Sequence, residues 1–379
     1  MSAVAIAHDY LNQRGGGERV VLEIARQWPD APIHTTLYRR DSTFAAFAER
    51  DVRTSWLDRL PIDRRFRAAL PLYPSAIASL GALDAELVVS SSSGWAHAVR
   101  ARPGATHVCY CHTPARWLWD PAAYSPSALR RAALSPLIAA LRRWDLAAAR
   151  RPTAYVANSE RTRAAIARIY GRHARVIPPP VGVERFTPRP RGERLLVVSR
   201  LLAYKRVDLA VEAATRAGIG LDVVGDGPLL GDLRDRAGPS VRFHGRVDDA
   251  TVTELLEGCR ALVLPGVEDF GIVPVEANAA GKPVVAFGAG GVCETQVAGV
   301  TAAYFHEPSA EALLDAVRGA DGLAAEPAAL RAHAERFAPA TFRRRLADEV
   351  ARVVAAARPA GVARSGRPPR VAGAGARTP

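Results

Sequence analysis

The sequence predicts an α/β protein of two domains, each a parallel sheet covered by helices on both faces. Three observations carry that prediction. Short apolar runs alternate with helical stretches through both halves of the chain, with brief links in the second half, which is the rhythm of a parallel sheet. A polar, proline-rich segment, I-P-P-P-V-G-V-E-R-F-T-P-R-P-R-G at 177–192, interrupts that rhythm near the middle and reads as a linker. The length, 379 residues, suffices for two separate cores.

Taken in order, residues 4–7 form a first strand, a glycine loop follows, and a helix runs from about 18 to 28. Further strands are expected at 31–37, 87–90, 106–111 and 153–158, with a helix over about 160–170. The second half has strands at 195–199, 221–224, 241–244, 261–264 and 284–287, with helices such as 207–217 and 249–258 between them. From 341 to 358, Phe342, Leu346, Val350 and Val353 recur at helical spacing. The tail beyond Pro359 has no acid and is rich in Ala, Gly, Pro and Arg, so disorder is expected there. The domain reading is therefore 1–185, 186–338, a final helix at 339–358 and a tail at 359–379.

Composition narrows the class. Apolar content of 49% and charged content of 23% are ordinary for a globular protein. The most apolar long stretch, 132–149, is broken by Arg142, Arg143 and Asp145, so no transmembrane helix is expected. The N-terminus M-S-A-V-A-I-A-H-D-Y reads as a strand rather than a signal peptide, and a cytoplasmic location is expected. Of four cysteines, Cys109 and Cys111 stand two apart; they are read as pointing to opposite faces of a strand and not as zinc ligands. The net charge is +13, yet among 51 basic residues only Lys205 and Lys282 are lysines. A site that needs a compact ammonium does not always accept guanidinium, which draws attention to both. Arginines concentrate at 59–74 and 130–175. They suggest docking on an anionic membrane surface; no stacking module or recognition helix accompanies them, so nucleic acid is not expected as a partner.

The segment L-V-L-P-G-V-E-D-F-G-I-V-P-V-E-A-N-A-A-G-K-P at 262–283 is the most informative. A strand enters a loop and then a short helix, with Pro274 suited to the first turn and Gly281 to the end. Gly271 permits close backbone approach. The free N–H groups of Gly271, Ile272 and Val273 would line an anion site, flanked by Glu268 in the loop and Glu276 one turn into the helix. A diphosphate on the amides with sugar hydroxyls on the acids fits such a cradle. The second site is S-R-L-L-A-Y-K-R at 199–206, after a strand. Arg200 and Lys205 there would stabilise charge building on a departing diphosphate. No D-x-D pair ends a strand, so no metal and no cofactor are expected.

Glu268 and Glu276 fit the E-x7-E signature of retaining glycosyltransferases of the GT-B fold, and the chain over about residues 1–355 resembles glycosyltransferase family 4. With H-D-Y-L, G-G-G-E-R-V-V, Y-C-H-T-P, S-R-L-L-A-Y-K-R-V-D and E-D-F-G-I-V-P-V-E, it most resembles bacterial mannosyltransferases of polysaccharide and O-antigen assembly. The resemblance implies two Rossmann-like domains facing across a cleft, with the last helix crossing back to the first. It implies transfer of a hexose, with GDP-mannose as first donor, to a glycan or polyprenyl-diphosphate-linked acceptor, on the inner face of the membrane. His112, Arg200, Lys205 and Glu268 would serve the chemistry. Gly16, Gly17, Gly225, Arg246, Val247, Gly271, Ile272, Val273 and Glu276 would hold the donor, with Glu276 on the ribose and Arg246 and Val247 at the base. Asp9, Arg116 and Trp117 would face the acceptor. The run S-S-S-S-G-W-A-H at 90–97 departs from the family pattern and leaves the acceptor open. A UDP-sugar transferase, a nucleotide-sugar epimerase and an inactive nucleotide-sugar-binding partner are the alternatives.

Overall fold

The computed structural model describes residues 2–62, 69–120, 133–324 and 326–357. The expected disordered tail at 359–379 lies outside the described residues, as does part of each arginine-rich stretch. Among the described residues two large sheets form. The first has seven strands in the order Val52–Thr54, Ile33–Thr35, Ser2–His8, Ala85–Ser92, Thr106–Cys111, Ala154–Ala157, Ala174–Val176. The second has six, in the order Val241–Gly245, Leu221–Val224, Leu195–Val198, Ala261–Leu264, Val284–Phe287, Ala302–Phe305. All neighbours within both sheets run parallel.

Each sheet reverses its winding once. The reversal lies between Ser2–His8 and Ala85–Ser92 in the first sheet, and between Leu195–Val198 and Ala261–Leu264 in the second. Loops leaving such a pair at their carboxyl ends diverge and open a crevice, the usual ligand position in a doubly wound sheet. The central strands are buried nearly throughout, as helices on both faces require. The last helix, Pro339–Ala357, lays Phe342, Leu346, Val350 and Val353 into one cluster with Ile6, Val20, Ile24 and Val108 of the first half. Cys109 and Cys111 share one face, packed with Tyr155, Ala157 and Ile166. The opposite-face expectation is thus corrected: residues two apart in a strand point the same way. All four cysteines are free, and burial pushes Cys109 up to about 12. Among the described residues no helix is long and apolar enough to cross a membrane.

Candidate active site

The second-sheet crevice gathers the strongest sequence signals. Strand Leu195–Val198 leads into a loop whose last turn, Ala203–Lys205, is 3-10. Arg206 follows with φ +50, the sole non-glycine residue of positive φ among those described; such strain clusters at functional sites. Lys205 forms an ion pair with Glu268. Gly266 permits the approach, since a Cβ there would lie 2.5 Å from the Tyr204 carbonyl oxygen and 2.7 Å from Lys205 Cα. Arg200 is exposed, with Nη2 3.5 Å from the Tyr204 hydroxyl. Gly225 (φ +135) seats the neighbouring turn: its Cβ would fall 1.8 Å from the Ser199 carbonyl oxygen. Arg246 is exposed beyond that turn, and Val247 packs beside Leu196 and Leu262.

The helix after Glu268 spans Ile272–Ala279 and starts from Gly271 at φ +88, with no side chain capping its first turn. Its orphan N–H groups therefore remain for an anion. Gly16 lies against this helix start from the opposite half; a Cβ on it would sit 2.6 Å from Ile272 Cδ1. The glycine loop thus approaches this helix start because it lacks side chains. Gly17 lies above two imidazoles, with its would-be Cβ 3.7 Å from His8 Cε1 and 3.8 Å from His112 Nε2. Glu276, in the same helix, is buried and makes no hydrogen bond among the described residues; Arg185 Nη1 stands 3.6 Å away. Burial raises its pKa, with Arg19 and Arg185 opposing.

His112 follows strand Thr106–Cys111, half-buried, with Nε2 2.8 Å from Ser91 Oγ. Burial and the neighbouring His8 pull its pKa down to about 3, so the ring is neutral at physiological pH. For His8, burial acts downward, but the Glu18 carboxylate 3.9 Å away, Asp9 and the Ser91 carbonyl together raise it.

Two residues expected on the acceptor side are engaged within the first half. Asp9 is 2% exposed, and its carboxylate accepts from Ser93 N (2.6 Å), Ser93 Oγ (3.1 Å), Trp95 N (2.7 Å) and Ala96 N (2.6 Å). Those bonds use its acceptor positions and leave none for a ligand. Trp117 packs edge-on against Trp95, at 4.9 Å, in a cluster with Leu37, Leu57 and Leu118. Arg116 does reach the cleft, where it pairs with Asp269.

Sequence reasoning missed the other side of the cleft contacts. Asp269 also accepts from Arg161 Nε at 3.3 Å. Glu294 accepts from the backbone N–H groups of Glu160 (2.6 Å) and Arg161 (3.0 Å), capping helix Glu160–Tyr170 from the opposite half. Arg19 pairs with Asp249 at 2.8 Å. Gly290 and Gly291 hold the Glu268–Asp269 backbone, since Cβ atoms there would come within 2.5 Å of Glu268 O and 2.2 Å of Asp269 O. The A-G-G run at 289–291 after a buried strand was the available signal. Among the described residues no group of three or more His, Cys, Asp or Glu is arranged to hold a metal ion.

Residues 14–185 match the model for Glycosyltransferase Family 4, and residues 184–324 match that for Glycosyl transferases group 1. The 2-deoxystreptamine glucosyltransferase of Streptomyces kanamyceticus is 32% identical over 203 residues, 46% of this chain and 52% of that protein. A GDP-mannose-dependent alpha-(1-6)-phosphatidylinositol monomannoside mannosyltransferase of Mycobacterium tuberculosis is 33% identical over 192 residues, 42% of this chain and 50% of that one. The chain thus spans about half the length of these curated relatives. Anabaena HepE, solved with UDP and glucose, aligns with a TM-score of 0.72 at 18% identity, over 92% of this chain and 100% of that one. Sucrose-phosphate synthase of Thermosynechococcus elongatus gives 0.73 at 18%, over 94% and 100%. Likeness at that identity is one of fold: two parallel-sheet α/β domains in the GT-B arrangement.

Proposed function

We propose, on the premise that this chain belongs to the group 1 and family 4 glycosyltransferases, that it transfers a hexose from a nucleotide sugar with retention of anomeric configuration. The observation that carries the proposal is the meeting of an uncapped helix start at Gly271 with the Lys205–Glu268 pair on one side and the buried carboxylate of Glu276 on the other. The donor diphosphate lies on the N–H groups of Gly271, Ile272 and Val273, beside Gly16 and Gly17. Arg200 and Lys205 take up the charge that grows on the leaving diphosphate, where fixed cations lower the barrier. Glu276 accepts from ribose hydroxyls with both oxygens, Glu268 meets hydroxyls of the transferred hexose, and Arg246 and Val247 border the base beyond Gly225. His112 contacts the sugar as a neutral ring. The acceptor hydroxyl attacks from the face the diphosphate leaves, and the departing phosphate takes its proton.

GDP-mannose is the first donor, supported by the motif resemblance and by the mycobacterial mannosyltransferase. The Streptomyces glucosyltransferase supports glucosyl transfer as a second reading. The acceptor is a glycan or a lipid-linked saccharide met at the inner membrane surface. Calorimetry with GDP and UDP, followed by donor turnover across GDP- and UDP-hexoses, tests both. GDP is expected to bind more tightly than UDP, with GDP-mannose the fastest donor. Heat with neither nucleotide and no turnover of any donor overturns the proposal.

A further inference from the structure

The four serines at 90–93 are each committed to a different polar partner. Ser90 Oγ lies 2.8 Å from His107 Nε2, Ser91 Oγ 2.8 Å from His112 Nε2, and Ser92 Oγ 3.4 Å from His97 Nδ1. Ser93 donates to Asp9 through both its N–H and its hydroxyl. The run that departs from the family pattern is thus a row of hydrogen-bonding groups at the carboxyl end of strand Ala85–Ser92. Within it Ser91 alone joins two rings that lie beneath Gly17. Its carbonyl accepts from His8 Nδ1 at 3.0 Å, and its hydroxyl meets His112.

We infer that Ser91 is a positioning residue, which holds His112 in the tautomer that carries its proton on Nδ1 and so presents an N–H donor to the donor sugar. The inference deepens the hexosyl-transfer reading and rests on it for the role of His112. The argument is one of hydrogen-bond accounting. Ser91 is 0% exposed, and its hydroxyl has no other hydrogen-bond partner among the described residues. If His112 Nε2 carried the proton and donated it, the Ser91 hydroxyl hydrogen would be buried without an acceptor, a costly arrangement. If Ser91 donates to Nε2 instead, both groups are satisfied, and the proton of the neutral ring resides on Nδ1. Nδ1 makes no hydrogen bond among the described residues, so it is the ring atom left for a ligand.

The remaining contacts hold the ring in place. The His112 backbone N–H donates to Ser92 O at 2.8 Å, and Thr162 Oγ1 donates to His112 O at 3.0 Å. Tyr110 meets the imidazole edge-on at 5.2 Å. Backbone and ring plane are therefore fixed without Ser91, and what the serine adds is the choice of nitrogen. A hydroxyl or ring oxygen of a hexose accepts from an N–H but not from a bare nitrogen. The tautomer thus decides which sugar atom His112 can engage.

Imidazole 15N spectra of the full chain test this without substrate, with the His112 signal assigned by its loss in His112→Gln. The wild type is expected to show a protonated Nδ1 and an unprotonated Nε2. Ser91→Ala is expected to move the proton toward Nε2, and Ser91→Thr, which restores a hydroxyl, to recover the original pattern. Turnover should follow: Ser91→Ala lowers kcat by about threefold to tenfold, the effect of misplacing one hydrogen bond, with a smaller change in donor KM, and Ser91→Thr recovers the larger part. A wild-type ring protonated on Nε2 or split between tautomers overturns the inference, whether or not either variant folds. So does a Ser91→Ala spectrum identical to wild type, or full turnover by a Ser91→Ala protein whose tautomer has changed. A wild type that turns over no nucleotide sugar sinks the hexosyl-transfer reading instead, and the apo spectrum still decides the tautomer.

Discussion

The two halves of the molecule open a crevice in the same way, at the reversal of a parallel sheet, yet they fill it with opposite chemistry. In the first half the strand-end groups pair largely with one another: Asp9 takes four donors, and Ser90, Ser91 and Ser92 each meet a histidine, while His8 Nε2 and His107 Nδ1 make no hydrogen bond among the described residues. In the second half they stand incomplete. Among the described residues Glu276 is buried without a hydrogen bond, the helix at Ile272 starts without a side-chain cap, and Arg200 has only a 3.5 Å contact with Tyr204. Topology supplies a crevice in each case; hydrogen bonding separates Asp9, whose acceptors are filled, from Glu276, the Ile272 helix start and His112 Nδ1, which are left for a ligand. Burying an unpaired polar group costs about 1–3 kcal/mol, so an incomplete crevice persists where a ligand completes it.

The largest expected effect probes the incomplete side. Lys205→Ala removes the ammonium beside the helix start and leaves Glu268 without its partner. Loss of one fixed charge aimed at a developing anion costs about 10²–10³ in kcat, and initial rates with the preferred nucleotide sugar measure it. A variant within threefold of wild type would break the comparison, because the second crevice would then work without its cation.

The complementary substitution is Asp9→Asn. An amide cannot accept from four donors, and it turns an N–H₂ group toward some of them. A loss of about 2–3 kcal/mol is expected, read as a melting temperature several degrees lower, while kcat measured below the transition stays within about twofold of wild type, since only interactions made in the transition state lower kcat. If the melting temperature holds and the acceptor KM rises instead, Asp9 belongs to the site and its four bonds are not a fixed scaffold.

Glu276 sharpens the contrast through pH. Its pKa is raised by burial, so ionising it opposes folding. Its burial favours the folded state below the ordinary carboxyl range, and that advantage fades as pH climbs toward the raised pKa. Ligand binding runs the other way, because ribose hydroxyls donate to the ionised form. Nucleoside diphosphate affinity should therefore rise with pH through an interval above the usual carboxyl range. Glu276→Gln should weaken binding about fivefold to thirtyfold and flatten that dependence. Calorimetry across pH checks both.

What the sequence disclosed follows the same division. Five of the six second-half strands were legible, Ala302–Phe305 being the exception, and Glu268, Glu276, Arg200 and Lys205 were singled out because loops that leave buried strands lie within a few positions of a strong apolar run. Lys205 was singled out by rarity, and so was Lys282, whose ammonium instead ties the linker by donating to the carbonyls of Arg189 (2.8 Å) and Pro190. Rarity does not tell a ligand from a backbone carbonyl. The internal bonds of Asp9 were not legible because its partners lie 84 to 87 residues away, and a strand-end aspartate looks the same whether its acceptors are filled or free. The strands Val52–Thr54 and Ala174–Val176 were missed because edge strands of three residues show no period. Glu294 was missed because its partner is a pair of backbone amides in the other half, which no side-chain pattern announces.

Glu294 provides the smallest and last prediction, at the seam between the two crevices. Its carboxylate sits on the first N–H groups of helix Glu160–Tyr170, where the helix dipole favours negative charge by about 0.3–1 kcal/mol when exposed. Beside it, Asp269 takes Arg116 and Arg161, so the acids of this seam come from the second half and the cationic partners from the first. Glu294→Gln should raise the donor KM about twofold to fivefold and leave the melting temperature of each half unchanged. Because the contact is exposed, added salt should shrink the wild-type advantage. Donor KM measured at low and high ionic strength for both proteins reads this out. An unchanged KM at low salt would mean that the seam forms no part of the donor-bound state, and that the two crevices act independently of how the halves meet.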